Sequence, residues 1–376
     1  MVKMRKEIYL DCAATTKTYD EVVKAMNEIL SEEYGNPSSV HAMGEKAAKI
    51  MNSAREKLAK EINAKAHEII FTSGATESNN IALRNVDFGK GKNKIIISSI
   101  EHPSIEETAR FLERERKFKI VRVPVDKSGV INLDFLKKEI DERTALVSIM
   151  HVNNIIGSIQ PIDQIGKLCK DRGVLFHTDA VQSFGKLNID VRKMNLGMLS
   201  ASGHKIGGPK GIGLIYVKEG LNLKPWTFGG GQEKGIRSGT ENVSGIVGFA
   251  KALDVQKRID KNKIKKVRDM LAESIIDIGG KLNSSGEGIY NIIHASFKGI
   301  DSDNLVQWLS QRRIYVSAGS ACENKKKSED NTLKAIGLSH EQINGSIRFS
   351  LSEKVNEKDV DFIIGEIGLI LKKLKV

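Results

Sequence analysis

Lys205 stands in Ser202-Gly203-His204-Lys205, directly after the apolar segment Met198-Leu199-Ser200-Ala201. Met198 to Ser202 reads as a short buried strand, and Gly207-Gly208-Pro209-Lys210-Gly211 as a turn leading into a second strand, Gly213-Leu214-Ile215-Tyr216-Val217. The lysine then sits at a strand end facing a loop. There it can be desolvated enough to lose its proton and form an imine with an aldehyde. A lone lysine is more simply a solvated surface group, so the reading depends on what accompanies it.

The company is at other strand ends. Asp179 follows the apolar run Val174 to Thr178, with Gln182 three residues on. A carboxylate so placed can hold a pyridinium nitrogen protonated, which makes the ring an electron sink; it reads equally well as a helix cap. Phe71-Thr72-Ser73-Gly74-Ala75-Thr76-Glu77-Ser78 turns from a strand through a glycine into a helix. Free amides at that start, with the Thr76 hydroxyl, can cradle a phosphate, while ordinary capping with Glu77 in the first turn explains the same residues. His102 comes just after a strand ending near Ser99 and can stack on a flat cofactor or move protons. Singly it is a satisfied loop histidine, yet His151, His177 and His204 also stand near strand ends, four of the eight histidines in the chain. An aldehyde trap, a pyridinium partner and a phosphate cradle together point to pyridoxal phosphate on Lys205.

A second chemical centre is Val316-Ser317-Ala318-Gly319-Ser320-Ala321-Cys322-Glu323-Asn324. A cysteine on an exposed, lysine-rich loop has some thiolate character, which tilts Cys322 toward a nucleophile. Cys169 reads as a packing residue and Cys12 as structural. Arg348, on the strand-like Ser346 to Ser350, can fork onto a substrate carboxylate; its plainer reading is a surface salt bridge.

These groups need a frame. Apolar runs at 69–72, 95–98, 120–123, 146–150, 174–177 and 199–201 are separated by helix-length segments, the rhythm of a mostly parallel sheet covered by helices on both faces. In such sheets chemistry lies beyond the carboxyl ends of the strands, where these polar clusters fall. Helical periodicity marks 44–62, and one long charged helical pattern runs from about 243 to 278. A smaller α/β unit follows, with strands at 292–296, 314–317 and 346–350 and a terminal helix at 357–373.

The chain has 376 residues, enough for about two domains, and a formal charge of +12. Its lysines are scattered among acids with few aromatics, so a solvated surface is expected rather than a nucleic-acid groove. No apolar run approaches the roughly 20 residues that span a bilayer. The charged N-terminus is unlike a signal peptide, and the cytoplasm is the expected location. Three widely spaced cysteines suggest neither a disulfide framework nor a zinc site.

Taken together, the chain resembles the cysteine desulfurases, pyridoxal-phosphate enzymes of the aminotransferase class V group. The resemblance runs over nearly the whole length: Tyr9-Leu10-Asp11 with Ala14-Thr15-Thr16, Gly35 to Ser39, Thr72 to Ser78, Glu101-His102, Met150 to Asn154, His177 to Gln182, Ser202 to Gly213, Arg237 to Thr240, Gly319 to Cys322 and Ser346 to Ser350. It implies a fold type I transferase, with a large cofactor-binding domain at 15–260 and a small domain made of 1–14 and 261–376. Ile155 stands where the family pattern has Glu, a change expected to bear on local packing.

The resemblance also implies roles. Lys205 would carry the cofactor, Asp179 would face the pyridine nitrogen, Gln182 would bond the ring hydroxyl, and His102 would stack on the ring and move protons. Ala75, Thr76, Ser202 and His204 would hold the phosphate, helped by Thr240 from a second subunit of a homodimer. Asn154 and Arg348 would bind the carboxylate of L-cysteine. Lys205 would take the α-proton, the Cys322 thiolate would attack the substrate sulfur, alanine would leave and a persulfide would remain. The sulfur would pass to an acceptor protein such as an iron-sulfur scaffold, or to tRNA thiolation. Alternative functions are a selenocysteine lyase or a small-substrate class V aminotransferase.

Overall fold

The computed structural model describes residues 6–84, 89, 91–284, 287–318 and 331–374. In chain order the first half contains β1 (Ile8–Tyr9), α1 (Asp20–Ser31), α2 (Ala42–Glu61), β2 (Ile69–Thr72), α3 (Ala75–Arg84), β3 (Lys94–Ser98), α4 (Pro103–Arg116), β4 (Lys119–Val123), α5 (Leu133–Glu139), β5 (Thr144–Ser148), α6 (Ile162–Asp171) and β6 (Leu175–Asp179). The second contains β7 (Met198–Ser202), β8 (Gly213–Val217), α7 (Val243–Lys257), α8 (Lys261–Asp277), β9 (Lys281–Leu282), β10 (Ile292–Ser296), α9 (Ser302–Gln311), β11 (Ile314–Tyr315), β12 (Ser317–Ala318), α10 (Asn331–Ala335), α11 (His340–Asn344), β13 (Ser346–Ser350) and α12 (Glu357–Leu374).

Seven strands form the central sheet in the order β2-β8-β7-β6-β5-β3-β4. β8 pairs antiparallel with both β7 and β2, whereas the other pairs are parallel. The reversal follows from length: the residues between Ser202 and Gly213 are too few for a crossover, which takes a dozen or more. The strands alternate their burial between two cores. Ile69, Phe71, Ile96, Val147, Leu199 and Leu214 pack on one face against α2, α6 and α7. Their neighbours Ile70, Ile95, Ile97, Leu146, Met198 and Ile215 pack on the other against α3 and α4. Burial on both faces explains why these strands read as continuous apolar runs.

The C-terminal part is built on a four-stranded antiparallel sheet, β12-β13-β10-β9. β1 pairs in parallel with β11, and Ile8 and Leu10 enter the same core as Ile293, Phe349 and Ile363. The long helical pattern expected over 243–278 is two helices. Asp260 interrupts it, because its carboxylate accepts from the amides of Asn262 and Lys263 and so starts α8 afresh. The strand expected over 314–317 is likewise split, since β11 serves β1 while β12 serves β13. No helix among the described residues is long and apolar enough to cross a membrane.

Candidate active site

Because β2, β3, β5, β6 and β7 run in one direction, their carboxyl ends share one edge of the sheet. At that edge lies a cavity of about 440 Å³. Lys205, Asp179, Gln182 and His102 line it, as do Ala75 and Thr76 from the first turn of α3. Ser202, His204 and Asn154 complete the set of expected residues that it gathers. Thr240 is exposed and outside this cavity's wall. Cys322 lies outside the described residues.

Lys205 ends a single 3-10 turn, Gly203–Lys205, that follows β7. Its Nζ donates to the carbonyls of Ala13 at 2.6 Å and Ala14 at 2.8 Å. Those carbonyls belong to an N-terminal strap that docks on the end of β7: the Thr16 amide and hydroxyl both donate to the His204 carbonyl. The Ala13 carbonyl also accepts from Gln182 Nε2 at 2.9 Å, so one oxygen orients two cavity side chains.

Asp179 is the last residue of β6, next to β7 in the sheet. Its carboxylate accepts from the Val181 amide and, at 2.7 Å, from Asn79 Nδ2. Asn79 also donates to Ser104 Oγ, which in turn lies 2.8 Å from His102 Nδ1. A polar chain thus links α3, β6 and the start of α4. His102 caps α4, its Nδ1 accepting from the Ser104 amide. Burial, reinforced by the Lys205 charge, pushes its proton affinity down despite the opposing Asp179. The imidazole is therefore neutral near pH 7 and carries its proton on Nε2.

His204 is also neutral, held near pKa 4 by burial and by Lys205, Lys210 and Lys186. Its Nδ1 meets Thr15 Oγ1 at 3.1 Å. Glu101, behind His102, is pushed up to about 8 by burial, although Ser98 and the Met150 amide donate to it. Arg348 is not a surface ion pair: it is buried, and its guanidinium donates to the Asn154 carbonyl at 2.9 Å and to Asp11 at 2.7 Å. It stands immediately behind the cavity-lining Asn154.

The four histidines near strand ends do not act together. His177 is buried within β6 between the hydroxyls of Ser148 and Ser200, and His151 is buried outside the cavity wall. Cys12 and Cys169 are buried, and burial raises their thiols to about 11 and 12, so neither is a ready thiolate. Ile155 is partly buried and packs against the cluster of Ile156, Leu333 and Ile336. Reading residues singly misses Asn79, Ser104 and the Ala13 and Ala14 carbonyls. Asn79 had a usable signal, lying one turn beyond Ala75 on the same helical face.

The residues present fit pyridoxal phosphate. The amides of Ala75 and Thr76 open a helix and have no intrahelical acceptor, as an anion site requires. A buried carboxylate fed by donors suits a pyridinium, and an amine on the same wall suits an aldehyde.

Residues 8–363 match the family described as aminotransferase class-V. The chain is 40% identical to the cysteine desulfurase IscS of Clostridium botulinum, over 98% of this chain and 96% of that protein. It is 41% identical to the cysteine desulfurase IscS of Methanosarcina thermophila, over 98% and 93%. Among solved structures, a NifS-like protein superposes with a TM-score of 0.92 at 38% identity, covering 98% of this chain and all, 100%, of that one. SspA in complex with cysteine superposes at 0.83 with 36% identity, covering 92% and 99%.

Proposed function

The chain belongs to the aminotransferase class V family and is a pyridoxal-phosphate-dependent cysteine desulfurase of fold type I, and from this premise we propose how its own residues divide the work. The observation that carries the reading is Lys205 Nζ on the Ala13 and Ala14 carbonyls, in one cavity with Asp179, His102 and the first turn of α3. Bound pyridoxal phosphate supplies an electron sink for the charge left when the substrate α-proton is removed. Lys205 anchors the aldehyde and takes that proton at Nζ. Asp179, fixed by Asn79, holds the ring nitrogen protonated, and Gln182 donates to the ring hydroxyl.

The first-turn amides of α3, with Thr76, Ser202 and His204, bind the phosphate. Any proton that His102 exchanges with substrate is exchanged at Nε2, because Ser104 occupies Nδ1. Asn154 and Arg348 bind the carboxylate of L-cysteine. The Cys322 thiolate attacks the substrate sulfur; the carbon–sulfur bond breaks with its electron pair going to the three-carbon fragment, which leaves as L-alanine once protonated, and the persulfide stays on Cys322. An acceptor protein, such as an iron-sulfur scaffold, then takes the sulfur.

Two domains, 15–260 and 1–14 with 261–376, and a cytoplasmic homodimer complete the proposal. The separate core that unites Ile8 and Leu10 with residues beyond 264 supports the division. Thr240, exposed and outside its own cavity, supports the dimer. The test is release of sulfide and alanine from L-cysteine with added pyridoxal phosphate and a reductant. Wild type should release both, and Cys322→Ala should lose turnover; an equally active Cys322→Ala would remove Cys322 from the mechanism.

A further inference from the structure

Lys186 is a buried lysine that the reaction as described does not use. It is 4% exposed, and burial, together with the nearby Lys205 charge, lowers its pKa to about 8 although the Cys12 thiol opposes this. Among the described residues no carboxylate pairs with it. The one hydrogen bond of its ammonium runs to Gln182 Oε1 at 3.4 Å, one turn back along the helical bend that follows β6. A buried ammonium without a counter-charge is costly to keep, so its position calls for an explanation.

Gln182 supplies one. An amide side chain can be turned end for end at no steric cost, and only its partners decide which end faces which way. Here both partners choose the same orientation. The Ala13 carbonyl accepts from Nε2 at 2.9 Å, and the Lys186 ammonium donates to Oε1. The reverse orientation would set oxygen against oxygen and an NH₂ group against an ammonium. With one N–H of Nε2 on Ala13, the second is the donor that remains for the cavity, which Gln182 lines. Without Lys186 the Oε1 end loses its donor, and only the Ala13 carbonyl is left to oppose a turn that would present an acceptor.

We propose that Lys186 is a positioning residue that locks the Gln182 amide with its N–H edge toward the cofactor ring, so that the site selects a ring bearing an oxygen at that place. The proposal rests on the reading that pyridoxal phosphate occupies this cavity. Charged and titratable groups near the pair include Cys12 from the N-terminal strap, Lys205 with His204 beyond β7, and Lys261 of α8, whose Nζ donates to the Lys186 carbonyl at 2.7 Å.

The test compares equilibrium binding of pyridoxal phosphate with that of 3-deoxypyridoxal phosphate, which lacks the ring hydroxyl, to the apo full-length protein by absorbance titration. Wild type should prefer the hydroxylated ring by roughly tenfold or more, the scale of one charge-assisted hydrogen bond. Lys186→Met should reduce that preference to within about threefold, and Lys186→Arg, which keeps a charged donor, should retain it. Undiminished preference in Lys186→Met overturns the proposal, as does its loss in Lys186→Arg, which decides the matter if the Met variant does not fold. A wild type that binds neither compound overturns the cofactor reading itself, whereas binding without preference in wild type overturns only the proposal.

Discussion

Arg348 and Asp11 form an ion pair of 2.7 Å across 337 residues of sequence, with the arginine side chain 2% exposed and the aspartate 21%. The pair joins the last strand of the C-terminal sheet to the segment that leads into the N-terminal strap. Its second anchor, the Asn154 carbonyl, belongs to the loop after β5. One guanidinium therefore ties three distant stretches together at the back of the cavity.

Breaking this pair should cost both stability and substrate affinity. Asp11→Ala leaves a buried, uncompensated arginine and is expected to lower unfolding free energy by about 3–5 kcal/mol in denaturant titration. Arg348→Lys keeps the charge but loses the planar fork, and should raise KM for L-cysteine roughly tenfold with kcat less affected. An unchanged KM would take Arg348 out of carboxylate binding.

Asn79 should matter for cofactor affinity out of proportion to its apparent distance from the chemistry. Its Nδ2 is the side-chain donor to Asp179 Oδ2, and hydrogen bonds to charged groups contribute about 1.5–3 kcal/mol. Asn79→Leu is therefore expected to weaken pyridoxal phosphate binding by about one order of magnitude or more while the protein stays folded. Wild-type affinity in that variant would show that Asp179 needs no support from α3.

The buried carboxyl of Glu101 makes a pH prediction with a definite sign. Its folded pKa, about 8, is raised above the ordinary 4.5 by burial. In that range the folded state holds a proton that the unfolded chain has released, so stability is full below about pH 4.5 and is lost as pH rises through 8. Glu101→Gln keeps the shape and removes the titration. The stability of wild type relative to this variant should fall by a few kcal/mol between pH 5 and pH 9. Parallel curves for the two proteins would mean that the carboxyl is not held protonated by the fold.

The sheet and most of the cavity were legible in the sequence, because strands buried on both faces leave unbroken apolar runs and the polar residues after them must gather at one edge. The strands around Ile69, Ile95, Leu146 and Leu199 lie where the pattern puts them. Long-range pairings were not legible. Nothing local to Asp11 announces Arg348, and nothing near Asn79 announces Asp179. The break at Asp260 was hidden by charged residues that suit a helix on either side, although an aspartate is also an ordinary helix start. His151 and His177 misled because proximity to a strand end does not say how deep in the sheet a side chain lies; His177 and Asp179 share one face of β6, but His177 is held inside the sheet between Ser148 and Ser200 while Asp179 ends the strand at the cavity.

The turn that begins α3 is shaped by a residue far from it in sequence. Gly213 opens β8 and sits between β7 and β2, opposite Ser202 and Thr72. A Cβ on Gly213 would lie 2.7 Å from backbone atoms of Gly74, closer than real side chains approach. Gly213 is fixed on a strand paired on both sides, where the added Cβ would also lie 2.8 Å from the Ala201 carbonyl of β7, so the turn is the part that must give way. Gly213→Ala should therefore displace the Ser73-Gly74-Ala75 turn and spoil the amide cradle. The expected outcome is at least about tenfold weaker pyridoxal phosphate binding with a stability loss of about 1–3 kcal/mol, the usual range for overpacking. Pyridoxal, which lacks the phosphate, should bind wild type and variant alike. Equal losses for both compounds would mean that the substitution disturbs the whole cavity rather than its phosphate end.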